Sequence, residues 1–167
     1  MKFDSSVHRR KTRPKHVYTF RRSVRIEQPR ERVFNFCLDG QNFQKISPNR
    51  VEPVKETDEI IVRLNHVYPF RQYTAGVPMR WTMHVVELEP YERFVDELLA
   101  GPMRYVRHIH LFEALAPAAT LYTDVLEYWP YGGAVAQHIF VKKEMARTFE
   151  HRQREMKRLL EEPSPNG

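Results

Sequence analysis

The fold is decided by a stretch near the C-terminus, AVAQHIFVKKEMARTFEHRQREMKRLLE, which spans residues 134–161. Its apolar side chains recur at intervals close to one helical turn, and charged side chains fill most other positions. Prolines at positions 163 and 165 stop a helix soon after it. The pattern therefore predicts one long amphipathic helix. Its apolar stripe consists of Val141, Met145, Phe149, Met156 and Leu160.

Short strand-like segments dominate the chain before this helix. They are rich in β-branched and aromatic residues, and turn signals such as Tyr68-Pro69, Glu89-Pro90 and Gly101-Pro102 separate them. Connections this short join antiparallel neighbours. The first strand lies near 17–26, and two short helices follow it before residue 48. Further strands are predicted at residues 51–54, 60–67, 79–88, 94–99, 103–114 and 121–129.

This order of elements predicts an α+β domain. A curved antiparallel sheet of about seven strands has to bury one face, and the long C-terminal helix is the amphipathic element available to cover it. The two short helices come directly after the first strand. A sheet that curls round a helix leaves a space between the two, which is where small ligands usually bind.

The composition restricts the classes of protein. The chain has 167 residues, of which 41% are hydrophobic and 29% charged, as expected for one folded domain. The single cysteine, Cys37, excludes an internal disulfide framework and favours a reducing, cytoplasmic location. No apolar run approaches the roughly 20 residues of a membrane span, and the N-terminal residues do not resemble a secretory signal. No phosphate-loop or dinucleotide fingerprint is present, so we expect no cofactor.

The net charge of +6 is concentrated at the N-terminus. Residues 1–17 carry six basic side chains and one acidic one, so five of the six net charges lie there. We predict a flexible basic arm over 1–16, a ligand-binding domain over 17–162 and a disordered tail over 163–167. A basic arm on a nearly neutral domain makes a nucleic-acid partner unlikely. The alternative is an interaction protein whose arm binds RNA, the ribosome or anionic lipid.

Alternation along the last three strands assigns their two faces. One face carries Glu97, Arg107 and Glu127, whose long charged side chains prefer water, so we place it outside. The opposite face therefore points to the helix, and it combines apolar and polar groups. Its members include Phe94, Asp96, His108, His110, Phe112, Tyr122, Asp124, Leu126 and Tyr128.

The hairpin registers bring the polar groups of this face together. A turn around Pro117 places His110 opposite Asp124, and a turn around Pro102 places Asp96 opposite His108. Directly opposed side chains have Cβ atoms about 5 Å apart, within reach of a hydrogen bond. The sequence therefore predicts two His–Asp pairs, each joining two neighbouring strands.

Four interpretations of these pairs stay open. They could be buried polar groups that satisfy one another. They could anchor the polar end of an apolar ligand, together with Tyr122, Tyr128 or Trp81. A His–Asp dyad could act as a general base. The two histidines and two carboxylates could bind zinc or iron, but opposed couples look more like hydrogen-bonded pairs, so we predict no metal.

Several local patterns match a known superfamily. They are Phe94-Val95-Asp96, Gly101-Pro102-Met103, His108-Ile109-His110-Leu111-Phe112 and Thr120…Asp124…Tyr128…Pro130. With the element order, they resemble the helix-grip fold of the START / Bet v 1-like superfamily, known as SRPBCC. The similarity covers about residues 18–160. It is greatest to the bacterial ligand-binding branch, which is described as polyketide cyclase/dehydrase-like.

The resemblance implies a hydrophobic ligand cavity between sheet and helix. We expect binding of a lipid, polyketide-like, isoprenoid or aromatic molecule, with no membrane span. The alternative is a cyclase or dehydratase that uses His110, Asp124, His108 or Asp96 as acid and base. Exposed strand edges allow a homodimer. The expected ligand-binding residues are Trp81, Phe94, Asp96, His108, His110, Phe112, Asp124, Leu126, Tyr128, Met145 and Phe149.

Overall fold

The computed structural model describes residues 11–56 and 60–162. Most of the predicted arm (1–16) and all of the predicted tail (163–167) lie outside this part of the chain. The elements in chain order are β1 (Tyr18–Ile26), α1 (Arg30–Leu38), α2 (Gly40–Ile46), β2 (Val51–Pro53), β3 (Val67–Thr74), β4 (Val77–Glu89), β5 (Arg93–Ala100), β6 (Met103–Ala116), β7 (Ala119–Pro130), α3 (Gly133–Ala136), a π-helical turn (Gln137–Val141) and α4 (Lys142–Glu161).

The strands form one antiparallel sheet of seven members in the order β1-β7-β6-β5-β4-β3-β2. α3, the π-helical turn and α4 follow one another without a break and are called the C-terminal helix below. This arrangement confirms the predicted α+β fold: a curved sheet, a long C-terminal helix and two short helices after the first strand. No helix within the described residues is long and apolar enough to cross a bilayer.

The prediction of a strand at residues 60–67 is wrong. Within that range the pairing is a single bridge between Ile61 and Asp39, and β3 begins only at Val67. The error came from treating Tyr68-Pro69 as a turn. Pro69 pairs with Thr82 of β4, but on the other side of β3 the partner β2 reaches only as far as Phe70. Proline is tolerated at such an unpaired edge because its missing N–H is not needed there.

The predicted faces of the sheet are confirmed. Phe94, Leu126 and Tyr128 are at most 4% exposed and belong to two hydrophobic clusters beneath the sheet. On the outer face, Glu97 is buried rather than exposed. Arg107 explains this difference, because its guanidinium lies over the strands and binds Glu97 and Glu87 at 2.5 Å each. Paired in this way, a charged side chain can lie flat against a sheet.

The apolar stripe of the C-terminal helix packs on the inner face of the sheet. Phe149, Met156 and Leu160 are buried. Val141 and Met145 are partly buried beside the hydrophobic cluster that contains Leu126 and Tyr128. At the start of the helix the apolar residues point outward. Tyr131, Val135, Ile139 and Phe140 are each more than half exposed.

The described end of the basic arm lies on the sheet. The ammonium of Lys11 donates to the carbonyl oxygen of Met103 at 3.1 Å. Arg13 forms a two-bond contact with the carboxylate of Glu127, at 3.0 and 3.1 Å. Residues 1–10, which include Lys2, Arg9 and Arg10, lie outside the described part of the chain.

Candidate functional site

A cavity of about 430 Å³ lies between the sheet and the C-terminal helix. Its wall is mostly apolar and is completed by α1 and α2, which contribute Phe36, Cys37 and Phe43. Tyr131 and Phe140 line it too, and because both are largely exposed, the cavity opens at the start of the C-terminal helix. The volume falls in the range of small-molecule sites, roughly 300–1,000 Å³.

Most of the predicted ligand-binding residues meet in this cavity, and two do not. Phe112 packs beyond the cavity against Phe34 of α1, with ring centroids 5.1 Å apart. Tyr128 is enclosed in the core, where Gln137 of the π-helical turn donates to its hydroxyl at 2.8 Å. The wall contains the others, which are Trp81, Phe94, Asp96, His108, His110, Asp124, Leu126, Met145 and Phe149.

The predicted registers are confirmed, but the side chains choose different partners. His110 lies opposite Asp124, and Asp96 lies opposite His108. The hydrogen bonds run diagonally instead: Nε2 of His108 lies 2.8 Å from Asp124, and Nε2 of His110 lies 3.3 Å from Asp96. The imidazole centroids are 3.7 Å apart. The neighbouring rings reach past their direct partners, so the two pairs form one connected cluster.

Asp124 is the centre of this cluster. It accepts hydrogen bonds from His108 at 2.8 Å, from the Tyr122 hydroxyl at 2.6 Å and from the Gln153 amide at 2.7 Å. Burial alone would raise the pKa of Asp124, but the hydrogen bond from His108, the charge interactions with both histidines and the hydrogen bond from Tyr122 lower it below its ordinary value. Asp124 is therefore a buried carboxylate that stays charged.

His110 has room for one more proton. Its Nδ1 lies 2.7 Å from the oxygen of Tyr122, whose single hydroxyl proton goes to Asp124, so Nδ1 must donate. Burial, followed by the neighbouring His108, lowers the pKa of His110 and favours the neutral ring with that one proton. A hydrogen bond between Nε2 and Asp96 then needs one further proton, which would be shared between the imidazole and the carboxylate.

Comparison with known proteins identifies the fold. No protein family model and no curated protein matches the sequence. Among solved structures, protein CV1439 from Chromobacterium violaceum is 17% identical, with a TM-score of 0.69 over 87% of this chain and 99% of that one. A START superfamily protein from Mycobacterium smegmatis is 15% identical, with a TM-score of 0.62 over 86% and 97%. The Zhui aromatase/cyclase from Streptomyces sp. R1128 is 14% identical, with a TM-score of 0.59 over 87% and 92%.

The chain has the helix-grip fold that these structures share. This result confirms the fold that the resemblance implied. At 14–17% identity, the three similarities establish the architecture, whereas the chemistry of the cavity has to be argued from its own residues.

Sequence reasoning missed two polar residues of the site, one in the cavity wall and one that binds Asp124. Arg152 lines the wall, and Gln153 holds the sheet by donating to Asp124 and to the Arg22 carbonyl at 2.9 Å. A signal for both was present. Arg152 and Gln153 lie three and four residues after Phe149, within the apolar stripe, where polar side chains point at the sheet rather than at solvent.

One group of side chains in the described part of the chain could hold a metal ion. The nearest ligand atoms of Asp96, His108 and His110 lie within 4.8 Å of one another. A tetrahedral ion needs its ligands about 2.0–2.2 Å away, so the three would have to move closer together. The observed contacts suit hydrogen-bonded couples better than ligands.

Proposed function

We propose that this protein binds a small hydrophobic molecule in its SRPBCC cavity. The ligand class is a lipid, a polyketide-like compound, an isoprenoid or an aromatic compound. The observation that supports the proposal is the cavity itself, which combines about 430 Å³ of mostly apolar space with one polar cluster. Trp81, Phe94, Leu126, Met145 and Phe149 would contact the apolar body, and Asp96, His108, His110 and Asp124 would anchor the polar end.

The distribution of polar groups supports binding. A site for a small apolar molecule needs extensive apolar contact, and a few fixed polar groups orient the ligand. Here the polar groups are concentrated on β5, β6 and β7, while β3, β4 and α2 supply Phe70, Trp81 and Phe43 to the wall. The hydrogen bonds around Asp124 fix the geometry of the polar end before any ligand arrives.

Filling part of the cavity should weaken binding. Met145 faces the cavity from a partly exposed helical position, so Met145→Trp adds bulk with little strain elsewhere. We expect 1-aminoanthracene, a neutral apolar fluorophore, to bind the wild type and to bind this variant at least about tenfold more weakly. Glu150→Trp is the matched control, because Glu150 is exposed on the same helix.

Native mass spectrometry of freshly purified protein complements this titration. A small molecule bound at one per chain, absent from Met145→Trp but present in Glu150→Trp, would support the proposal directly. The proposal is wrong if no molecule co-purifies and the fluorophore fails to bind the wild type. It is also wrong if both tryptophan variants bind the fluorophore as the wild type does.

A second candidate function is a dehydratase or cyclase that uses His110 and Asp96. Dehydration needs one group that protonates the departing hydroxyl and another that accepts the α-proton of the substrate. The contact between His110 and Asp96 at 3.3 Å offers a position for the first proton within the cavity. The Zhui protein, which has the same fold, is named an aromatase/cyclase.

Replacing His110 separates the two functions. For an enzyme, we expect His110→Ala to slow dehydration of a 3-hydroxyacyl N-acetylcysteamine thioester by at least about 100-fold. The enoyl product is followed by its ultraviolet absorbance. Binding of 1-aminoanthracene should change little. Absence of product with the wild type, or turnover that survives His110→Ala, would contradict the enzymatic role and leave binding as the function.

A further inference from the structure

Arg152 is a cation within the cavity and has no ionic partner among the described residues. Its guanidinium carbon lies 4.8 Å from the ring centroid of Phe43 and 5.2 Å from that of Phe149. Its Nε is enclosed and donates to no acceptor among the described residues. Among the described residues, the guanidinium donates one hydrogen bond, from Nη2 to the side-chain oxygen of Gln72, and its length of 3.5 Å makes it a weak one. Two aromatic faces hold the group in place, but they leave most of its donors unused.

The nearby carboxylates do not pair with Arg152. None in the described part of the chain lies within 4.0 Å of it, although the charges of Asp124 and Asp96 act on it from further away. Asp124 already accepts three hydrogen bonds from other groups, and Asp96 faces His110. Burial lowers the pKa of Arg152, but a guanidinium remains charged at neutral pH.

A charge enclosed in a protein is normally paired, because removing it from water is costly. We propose that the partner of Arg152 is the carboxylate of the ligand, so that the bound molecule is an amphipathic carboxylic acid. This inference rests on the proposed binding function and specifies the ligand class. The planar fork of a guanidinium matches the two oxygens of a carboxylate. The apolar remainder of the ligand would lie along Trp81 and Met145.

The surrounding charges favour one negative charge on the ligand over two. Arg152 neutralises a single carboxylate, whereas the second charge of a phosphate monoester would face the field of Asp96 and Asp124 without a counter-charge. A neutral alcohol or ester would leave the partly buried guanidinium unpaired. The cavity should therefore discriminate between an acid and its own ester, although their apolar bodies are the same.

The test compares cis-parinaric acid with its methyl ester, both followed by their own fluorescence, at about pH 8, where the acid is ionised. We expect the wild type to bind the acid at least about tenfold more tightly than the ester. Arg152→Gln should bind the acid no better than the ester. Arg154→Gln is the matched control, because Arg154 is exposed two residues further along the helix.

The acid–ester comparison on the wild type requires no variant, so it stands even if Arg152→Gln fails to fold. The inference is overturned if the wild type binds both probes equally. It is equally overturned if Arg152→Gln keeps the preference for the acid. In both cases ester binding would still support the proposed function. If neither probe nor 1-aminoanthracene binds the wild type, the proposed function fails and the inference fails with it.

Discussion

Replacing Asp124 by alanine is expected to lower the free energy of unfolding by about 3 kcal/mol. The substitution removes a buried acceptor and leaves His108 Nε2 and the Tyr122 hydroxyl without it, while the Gln153 amide keeps only its hydrogen bond to the Arg22 carbonyl. Gln153 lies on the C-terminal helix, so the loss also weakens the attachment of that helix to the sheet. Asp124 of β7 therefore joins β6, through His108, to α4, through Gln153.

Urea unfolding at neutral pH measures this effect. Glu127→Ala is the matched control, because Glu127 lies on the same strand but forms its ion pair with Arg13 on the outer face. We expect that control to lose less than about 1 kcal/mol. Equal losses in the two variants would show that the cluster does not stabilise the fold.

The same reasoning gives a dependence on pH. The pKa of Asp124 is lower in the folded chain than its ordinary value near 4, so the unfolded chain binds the proton first. The stabilisation by Asp124 is therefore complete above about pH 4 and is lost as the pH falls through the lower, folded value. The wild type and Asp124→Ala should become more alike in stability over that acidic range.

Much of the polar cluster could be predicted from the sequence because hairpins preserve register. Once the turns around Pro102 and Pro117 are located, the alternation of side chains along each strand places His108, His110 and Asp124 on one face of the sheet. This step requires no knowledge of the tertiary structure. The identity of each hydrogen-bonded partner was beyond this reasoning. An imidazole is long enough to reach a diagonal neighbour, so packing against Phe94 and Phe149 decides the choice.

The features that could not be predicted depend on contacts between distant segments. β3 begins at Val67 because β4 and β2 pair with the segment after it, and no local signal outweighed Tyr68-Pro69. In sequence, Arg152 resembles the three other arginines of the helix. Its contact with the ring of Phe43, more than 100 residues earlier, arises only from tertiary packing. Local patterns predicted most of the strands, the helices and the hairpin registers. Tertiary packing determines which polar groups face the ligand.

Phe149 packs the C-terminal helix on the sheet and also lines the cavity. Its truncation to alanine is expected to lower the free energy of unfolding about as much as Asp124→Ala does. The ring is 4% exposed, and its centroid lies 5.4 Å from those of Phe20 and His108. Phe149→Ala removes this contact between helix and sheet and also one of the two rings that hold Arg152. Loss of a buried phenyl group with incomplete collapse around it lowers the free energy of unfolding by about 3 kcal/mol or more.

Phe140→Ala is the matched control for this loss, because Phe140 lies on the same helix but is 70% exposed. We expect Phe140→Ala to change the free energy of unfolding by less than about 0.5 kcal/mol in urea titrations. The space left by Phe149→Ala adjoins the existing cavity, so a bound apolar molecule can fill it. Saturating 1-aminoanthracene should therefore recover more stability in Phe149→Ala than in Phe140→Ala. Equal stability of the two variants without ligand would mean that the helix is held to the sheet by residues other than Phe149.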